Sequence, residues 1–417
     1  MVSIDVFDLT IRDQTHISDA FRISQVCPHW RQVAHGTPQL WSRQLLVTIH
    51  SRGSPEADRL YRDGLKTWLM RSQPLSIPFI FEEKHAIHDW GSRAFEAWDP
   101  KSPVWDMILE NASSIAFLDN LERTGLDSLE TLYLKTTDSD PVLPCSILSR
   151  LRKLSIVYML GAKIPLLLNS WPWAQLHDLD LLLSEFDDIL CILSKCTNLV
   201  RASVAAFAWS GYPSVRQADI TLTHLQTLSL EFDEYSRGHI VPFFDRISVP
   251  ALENLVMNFA HSRRILWDQA QFSAFQLRTP TITHLEFIDC LPPVSSNDLK
   301  VILQHAQNLT HLKLPHAFDE DIIRALTYTH GVEPLVPRLH HLVLHALYDL
   351  PACFVTEFLA IMLMSRWWTD AQLALGTVPP AVARWSYIGL ECSERYKPAI
   401  DAMQSTGIFI ECRYFED

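Results

Sequence analysis

The feature that most constrains the fold is a six-residue phrase, Leu-x-x-Leu-x-Leu, that returns nine times between residues 129 and 344. The copies are Leu129–Leu134, Leu151–Ile156, Leu176–Leu181, Leu199–Val204, Leu225–Leu230, Leu252–Met257, Ile282–Phe287, Leu309–Leu314 and Leu339–Leu344. Their central positions are Leu132, Leu154, Leu179, Ala202, Leu228, Leu255, Leu285, Leu312 and Leu342, spaced 22 to 30 residues apart. Alternating apolar residues over so short a stretch predict a strand with one buried edge. A strand of that length cannot bury its apolar side alone, so each copy needs its neighbours.

That period is close to the roughly 20 to 29 residues of leucine-rich repeats. The predicted fold class is α/β: a leucine-rich-repeat solenoid, in which a curved parallel sheet is stacked from one strand per repeat, with helical or irregular returns. Asp187–Leu193 and Ser296–Leu303 carry helical spacing and suit those returns, the second behind a polar N-cap-like start. The asparagine that standard repeats place three residues after the last leucine is replaced here, for example by Thr137, Met159, Asp233 and Cys290. The repeats are therefore of an irregular kind. Upstream, Asp58–Leu69 reads as a helix and Pro74–Phe81 as a strand. Trp105–Leu109 followed by Ile115–Leu118 suggests a further degenerate helix–strand unit. Beyond Leu344 the leucine period stops. A helix over 351–366 and strands at Arg384–Leu390 and Gly407–Glu411, flanking a helix near 394–405, are expected to cap the last repeat.

Composition narrows the function classes. The formal net charge is −13, the wrong sign for a chain that must neutralise phosphates, so nucleic acid is not an expected partner. No run of about 18 uncharged apolar residues occurs, and no membrane partner is expected. Acid near Met1 speaks against a signal peptide. Eight dispersed cysteines without a Cys-x-x-Cys pair suggest free thiols in a reducing cytoplasmic or nuclear setting. Nucleophile elbows, phosphate loops, dinucleotide fingerprints and zinc-protease helices are absent, and only 12 glycines are available to cradle phosphate. The expected protein is not an enzyme, carries no cofactor and holds no metal.

Ahead of the repeats stands Val26-Cys-Pro-His-Trp-Arg-Gln-Val-Ala-His-Gly-Thr-Pro-Gln-Leu-Trp41. It resembles the second half of an F-box of the mushroom-type fungal proteins, with matches at Val26, Cys27, Trp30, Arg31, Val33, Ala34, Thr37, Pro38, Leu40 and Trp41. The run Trp68-Leu-x-Arg-Ser-x-Pro-Leu-Ser-Ile77 extends the likeness at lower specificity. The resemblance implies a substrate-recognition subunit that docks on a Skp adaptor, and through it on a cullin ubiquitin ligase, while holding an unknown protein substrate. It implies that Val26, Cys27 and Trp30 are box core or adaptor interface, and that Pro38, Leu40 and Trp41 lie where the box meets the following helix. The family opens with a Leu-Pro pair that Met1–Phe7 lacks, so the box is expected to be N-terminally truncated. The alternative is a stand-alone leucine-rich-repeat module whose incomplete box does not dock. The expected organisation is a partial F-box-like helical segment over 1–45, a linker with degenerate repeats over 46–120, leucine-rich repeats over 121–350 and an α/β cap over 351–417.

Alternation sends the leucines inward and the residues between them onto the concave face. The predicted partner-binding residues there are Tyr133, Lys135, Lys153, Asp178, Arg201, Glu231, Asn254, His284, Glu286, His311, Lys313, His341 and His345, with Ser155 and Val157 also expected to be open. This mixed surface suits a protein or peptide. His284, His311 and His341 hold one position in three successive repeats and should stack at roughly 5 Å. They could bind a metal, sense pH or contact an acidic segment, or be solvated strand residues duplicated with their repeats.

Overall fold

A computed structural model describes residues 20, 22–41, 45–50, 67, 70–71, 75, 77–84, 104–110, 129–136, 148–158, 171–209, 219–232, 238–259, 265–288, 294–315, 320–347, 358–368 and 381–415. The chain divides into two compact units, Met1–Ser184 and Glu185–Asp417.

The first unit carries a parallel run of strands: β1 (Leu45–His50), β2 (Ile77–Lys84), β3 (Val104–Glu110), β4 (Thr131–Thr136), β5 (Lys153–Tyr158) and β6 (Asp178–Glu185), whose last residue crosses the division. Each pairs with the next in sequence. Leu132, Leu154 and Leu179 stand opposite one another, with Met107 opposite Leu132. The β2–β3 register shifts between Ile77 and Pro78, where a residue without an N–H interrupts the ladder. β3 corrects the reading of Trp105–Leu109 as the helical half of a unit: it is a strand, and Val104-x-x-Met107-x-Leu109 is the repeat phrase with other apolar residues. Asp58–Leu69 and Ile115–Leu118 lie almost wholly outside the described residues.

Ahead of β1, helix α1 (Pro28–His35) starts as its sequence dictates. Pro28 at the first turn needs no N–H partner, and Cys27 Sγ accepts from the Trp30 N–H at 3.5 Å. Gly36 ends the helix by donating to the Gln32 and Val33 carbonyls. A 3-10 turn over Pro38–Leu40 then delivers Trp41, fully buried, whose Nε1–H donates to the Ala34 carbonyl at 2.7 Å.

Beside two short parallel pairs, which join Ile220–Thr221 to Ile247–Ser248 and Gly238–His239 to Ile265–Leu266, the main ladder of the second unit has eight parallel strands among the described residues. They are β7 (Arg201–Ala208), β8 (Thr227–Glu231), β9 (Asn254–Asn258), β10 (His284–Ile288), β11 (His311–Leu314), β12 (His341–Leu347), β13 (Tyr387–Ser393) and β14 (Glu411–Phe415). The register aligns Ala202, Leu228, Leu255, Leu285, Leu312, Leu342 and Ile388 in one buried row. The ladder therefore continues past Leu344 through β13, which overlaps the expected Arg384–Leu390, and β14, which begins at Glu411 where the expected Gly407–Glu411 ends.

The returns include helices. They comprise α2 (Phe186–Leu193), α3 (Val241–Arg246), α4 (Gln269–Arg278), α5 (Ser296–His305), α6 (Glu320–Leu326), α7 (Ala360–Ser365) and α8 (Lys397–Ser405). Ser295 and Asp298 form a reciprocal capping box on α5, and Asp268 caps α4 by accepting from Ala270 and Gln271. Gly407, at φ 93°, ends α8 in a conformation that a side chain would strain. The helices bury an aromatic cluster that includes Phe186, Trp209 and Phe243, and Phe232 stacks on Phe259 just past the strands. No helix among the described residues is long and apolar enough to cross a membrane.

A single backbone device joins successive repeats in both units. One carbonyl just ahead of a strand accepts the two N–H groups that begin the next: Glu130 O takes Arg152 and Lys153, Glu253 O takes Thr283 and His284, and Thr283 O takes Thr310 and His311. The Glu253 and Thr283 carbonyls each also accept from a threonine hydroxyl, Thr283 Oγ1 at 3.4 Å and Thr310 Oγ1 at 3.0 Å.

Candidate protein-binding face

The residues singled out ahead of the repeats separate into a buried anchor and an open surface. Trp41 is fully buried, with the Arg71 guanidinium 4.6 Å above its ring and His35 edge-on to it. Pro38, Leu40 and Cys27 are half-buried. Val26 and Trp30 are not core: they are 67% and 51% exposed, and Val33 is 48% exposed. Trp30 and Val33, three residues apart, are neighbours on the surface of α1, whose one buried residue is Ala34.

On the first unit's ladder, Thr131, Lys153 and Asp178 stand in register, as do Tyr133, Ser155 and Asp180. Lys153 is exposed, and Tyr133 and Asp178 are half-buried. Ser155 and Val157, expected to be open, are buried. Ser155 Oγ donates to Asp180 Oδ2 at 3.0 Å. Lys135 pairs with Val157 in the backbone, and its side chain lies outside the described residues.

On the second unit's ladder, the position ahead of the central leucine reads Arg201, Thr227, Asn254, His284, His311, His341 and Tyr387 in register. Arg201 is exposed and the others are half-buried. Asn254 Nδ2 donates to Thr227 Oγ1 at 3.4 Å. From His284 onward the rings touch. His284 and His311 stack with centroids 3.9 Å apart at 14°, His311 and His341 lie 4.5 Å apart at 33°, and His341 stacks on Tyr387 at 4.3 Å and 15°. The spacing is tighter than the strand separation of about 4.8 Å, because flat rings lean together. Tyr387 Oη donates to Glu411 Oε2 at 2.9 Å, and His340 meets His311 edge-on at 5.3 Å. The next row across holds Glu286 opposite Lys313, both half-buried, and Glu231 lies half-buried one position further along β8.

His345 falls outside this alternation. Leu344 pairs with Leu390 but Leu347 pairs with Cys392, so β12 carries one extra residue and the register shifts across His345. Tyr387 and His340 were not expected at the site. Trp385-x-x-Ile388-x-Leu390 is the repeat phrase with tryptophan in first place, and reading it so would have added Tyr387.

Burial lowers the pKa of all three stacked histidines, and the rings oppose each other's charge. Desolvation comes first for His311, with His284, His341 and His340 adding to it, and its pKa falls to about 4. Burial also lowers His284, against the pull of Glu286 and Glu253, and lowers His341, helped by His340 and His284. Two unit charges about 4 Å apart cost about 4 kcal/mol at an effective dielectric near 20, and less where water reaches the rings. Burial and Glu411 raise the Tyr387 hydroxyl. Rings stacked face to face hold their lone pairs side by side, which does not converge them on one ion. Among the described residues no group of three His, Cys, Asp or Glu is placed to hold a metal.

No family model matches the chain, and no curated protein matches it. Solved structures that resemble it include an internalin (inlF) from Listeria monocytogenes, 13% identical over 74% of this chain and 83% of that one, with a TM-score of 0.35. Another is a protein from Bacteroides fragilis, 10% identical over 87% of this chain and 83% of that one, also with a TM-score of 0.35. The repeat fold is read from the ladder and its register, and not from these distant likenesses.

Proposed function

We propose that the chain is the target-recognition subunit of a Skp–cullin–F-box ubiquitin ligase, holding a protein target on its ladder face and docking the adaptor through residues 20–41. The observation that carries the docking half is the open apolar side of α1. A tryptophan and two valines, Val26, Trp30 and Val33, face solvent on a segment fixed from beneath by the buried Trp41. Exposed tryptophan beside other apolar residues is characteristic of a surface that a partner covers. The half-buried mixture of rings, charges and amides on the ladder suits a protein ligand in the same way. The chain's contribution would be proximity: it raises the effective concentration of the target's lysines near a charged ubiquitin carrier bound elsewhere in the ligase. None of its own residues would touch the reacting thioester.

Co-purification of the full chain with a Skp adaptor tests this reading. A stable complex is expected, and Trp30→Ala with Val26→Asp should weaken it by at least about tenfold while the unfolding midpoint holds, since the removed contacts are solvent-facing in the free chain. A folded wild-type chain that does not bind the adaptor would leave a stand-alone leucine-rich-repeat binding module.

A further inference from the structure

The wiring of the imidazole row turns two ring nitrogens into acceptors. The Thr310 hydroxyl donates to the Thr283 carbonyl at 3.0 Å, so its oxygen is left to accept from His311 Nδ1, 2.8 Å away. Thr283 repeats this one strand earlier, donating to the Glu253 carbonyl at 3.4 Å and lying 2.8 Å from His284 Nδ1. Each neutral ring therefore keeps its proton on Nδ1, and its Nε2 carries a lone pair. Neither Nε2 has a partner among the described residues. The two rings stack with centroids 3.9 Å apart and tilted by 14°, and each is turned the same way by the threonine before it. Their Nε2 atoms are thus a pair of acceptors separated by about the same 3.9 Å.

From this geometry we infer that the His284 and His311 Nε2 pair, with the Glu286 carboxylate beside it, seats the ammonium group of a lysine in the protein partner. The inference rests on the reading of the ladder as a protein-binding face. Two adjacent lone pairs call for a group that brings several donors and no acceptor, which is lysine or arginine. Spacing chooses between them. The N–H bonds of an ammonium open at the tetrahedral angle, so at hydrogen-bond distances of about 2.9 Å it spans acceptors about 4 to 5 Å apart. A guanidinium fork holds its donors parallel and about 2.3 Å apart, which suits the oxygens of one carboxylate and not two stacked rings. A third ammonium N–H is left for an anion. Glu286 follows His284 by two residues on β10 and so lies on the same side of the strand, where its charge and that of Glu253 act on His284. Lys313, opposite Glu286, is a rival cation, and His340 meets His311 edge-on. Further along, Glu411 is engaged by Tyr387, and Glu391 pairs with Arg413. Carboxylates thus outnumber cations around neutral rings, which favours a charged donor over an amide or a hydroxyl.

The test is titration of the full chain with hexalysine, hexa-arginine and hexaglutamate at neutral pH, in about 0.15 M salt to screen the chain's general negative charge. Hexalysine should bind at least about threefold tighter than hexa-arginine and should move the nitrogen-15 signals of the His284 and His311 Nε2 atoms. Replacing both histidines by phenylalanine keeps flat rings in the stack without their lone pairs, and should weaken hexalysine about tenfold while leaving hexa-arginine within about twofold. Glu286→Gln, on a half-buried side chain, should weaken hexalysine by at least about threefold, and Lys313→Met should tighten it. These two variants carry the test if the double histidine variant does not fold. Equal or tighter binding of hexa-arginine, unmoved Nε2 signals, or a Glu286→Gln variant that binds hexalysine like the wild type would overturn the inference. Preference for hexaglutamate on the same face would overturn it too, yet would leave the protein-binding reading intact. Failure of the ligase reading shows separately, as a folded chain that does not capture the adaptor.

Discussion

The same ladder position is put to different use in the two units. Ahead of the central leucine, the first unit sets Thr131, Lys153 and Asp178 in register, whereas the second sets His284, His311, His341 and Tyr387. Behind them the rows are alike, with Leu132, Leu154 and Leu179 in one unit and Leu285, Leu312 and Leu342 in the other, all buried. The buried leucine sets the register, and the residue beside it is free to vary. In the first unit the position holds an exposed lysine and a half-buried aspartate. In the second, flat rings at strand spacing close the gap, and burial lowers the pKa of each imidazole.

The largest expected effect tests the part that is shared. Leu154→Ala and Leu312→Ala each remove a buried side chain and should each cost about 3 kcal/mol of unfolding free energy. A cost below about 1 kcal/mol in either unit, measured by denaturant titration, would mean that its row is not core. The reciprocal exchange tests the part that differs. His311→Lys forces an ammonium between two stacked rings and should cost about 1 to 2 kcal/mol near neutral pH, whereas Lys153→His on an exposed side chain should stay within about 0.5 kcal/mol.

The smallest effect is a pH slope. His311 falls from its ordinary 6.5 to about 4, so between those values the unfolded chain binds more protons than the folded one. The contribution is fully present above about pH 6.5 and is lost as pH falls toward 4. After allowance for solvent screening it amounts to about 1 kcal/mol. His311→Phe should flatten that part of the stability curve, and an unchanged slope would show that the ring titrates normally.

Much of this was readable from the chain. The period of the apolar phrase gave the parallel ladder, and alternation placed the three histidines side by side near the spacing that the rings adopt. Val104-x-x-Met107-x-Leu109 reads as helical when leucine is taken as the mark of a repeat, and Trp385-x-x-Ile388-x-Leu390, expected as a strand, likewise carries the repeat phrase in other apolar residues. The extra residue that displaces His345 has no sequence signature, since a bulge depends on how two neighbouring strands meet. Exposure of Trp30 was likewise hidden, because helical spacing shows which residues share a side but not which side is covered. The Thr–His pairs at Thr283–His284 and Thr310–His311 were visible as words. Their hydroxyl wiring depends on a carbonyl in the preceding repeat, which local sequence does not reveal.

Nitrogen-15 spectra of histidine-labelled full-length protein, assigned by single His→Phe variants and followed through a pH titration, test the central claim that the second unit holds a stacked row of neutral imidazoles. His311 should stay uncharged until well below its ordinary range. A His311 that charges near pH 6.5 like a solvated side chain would contradict it.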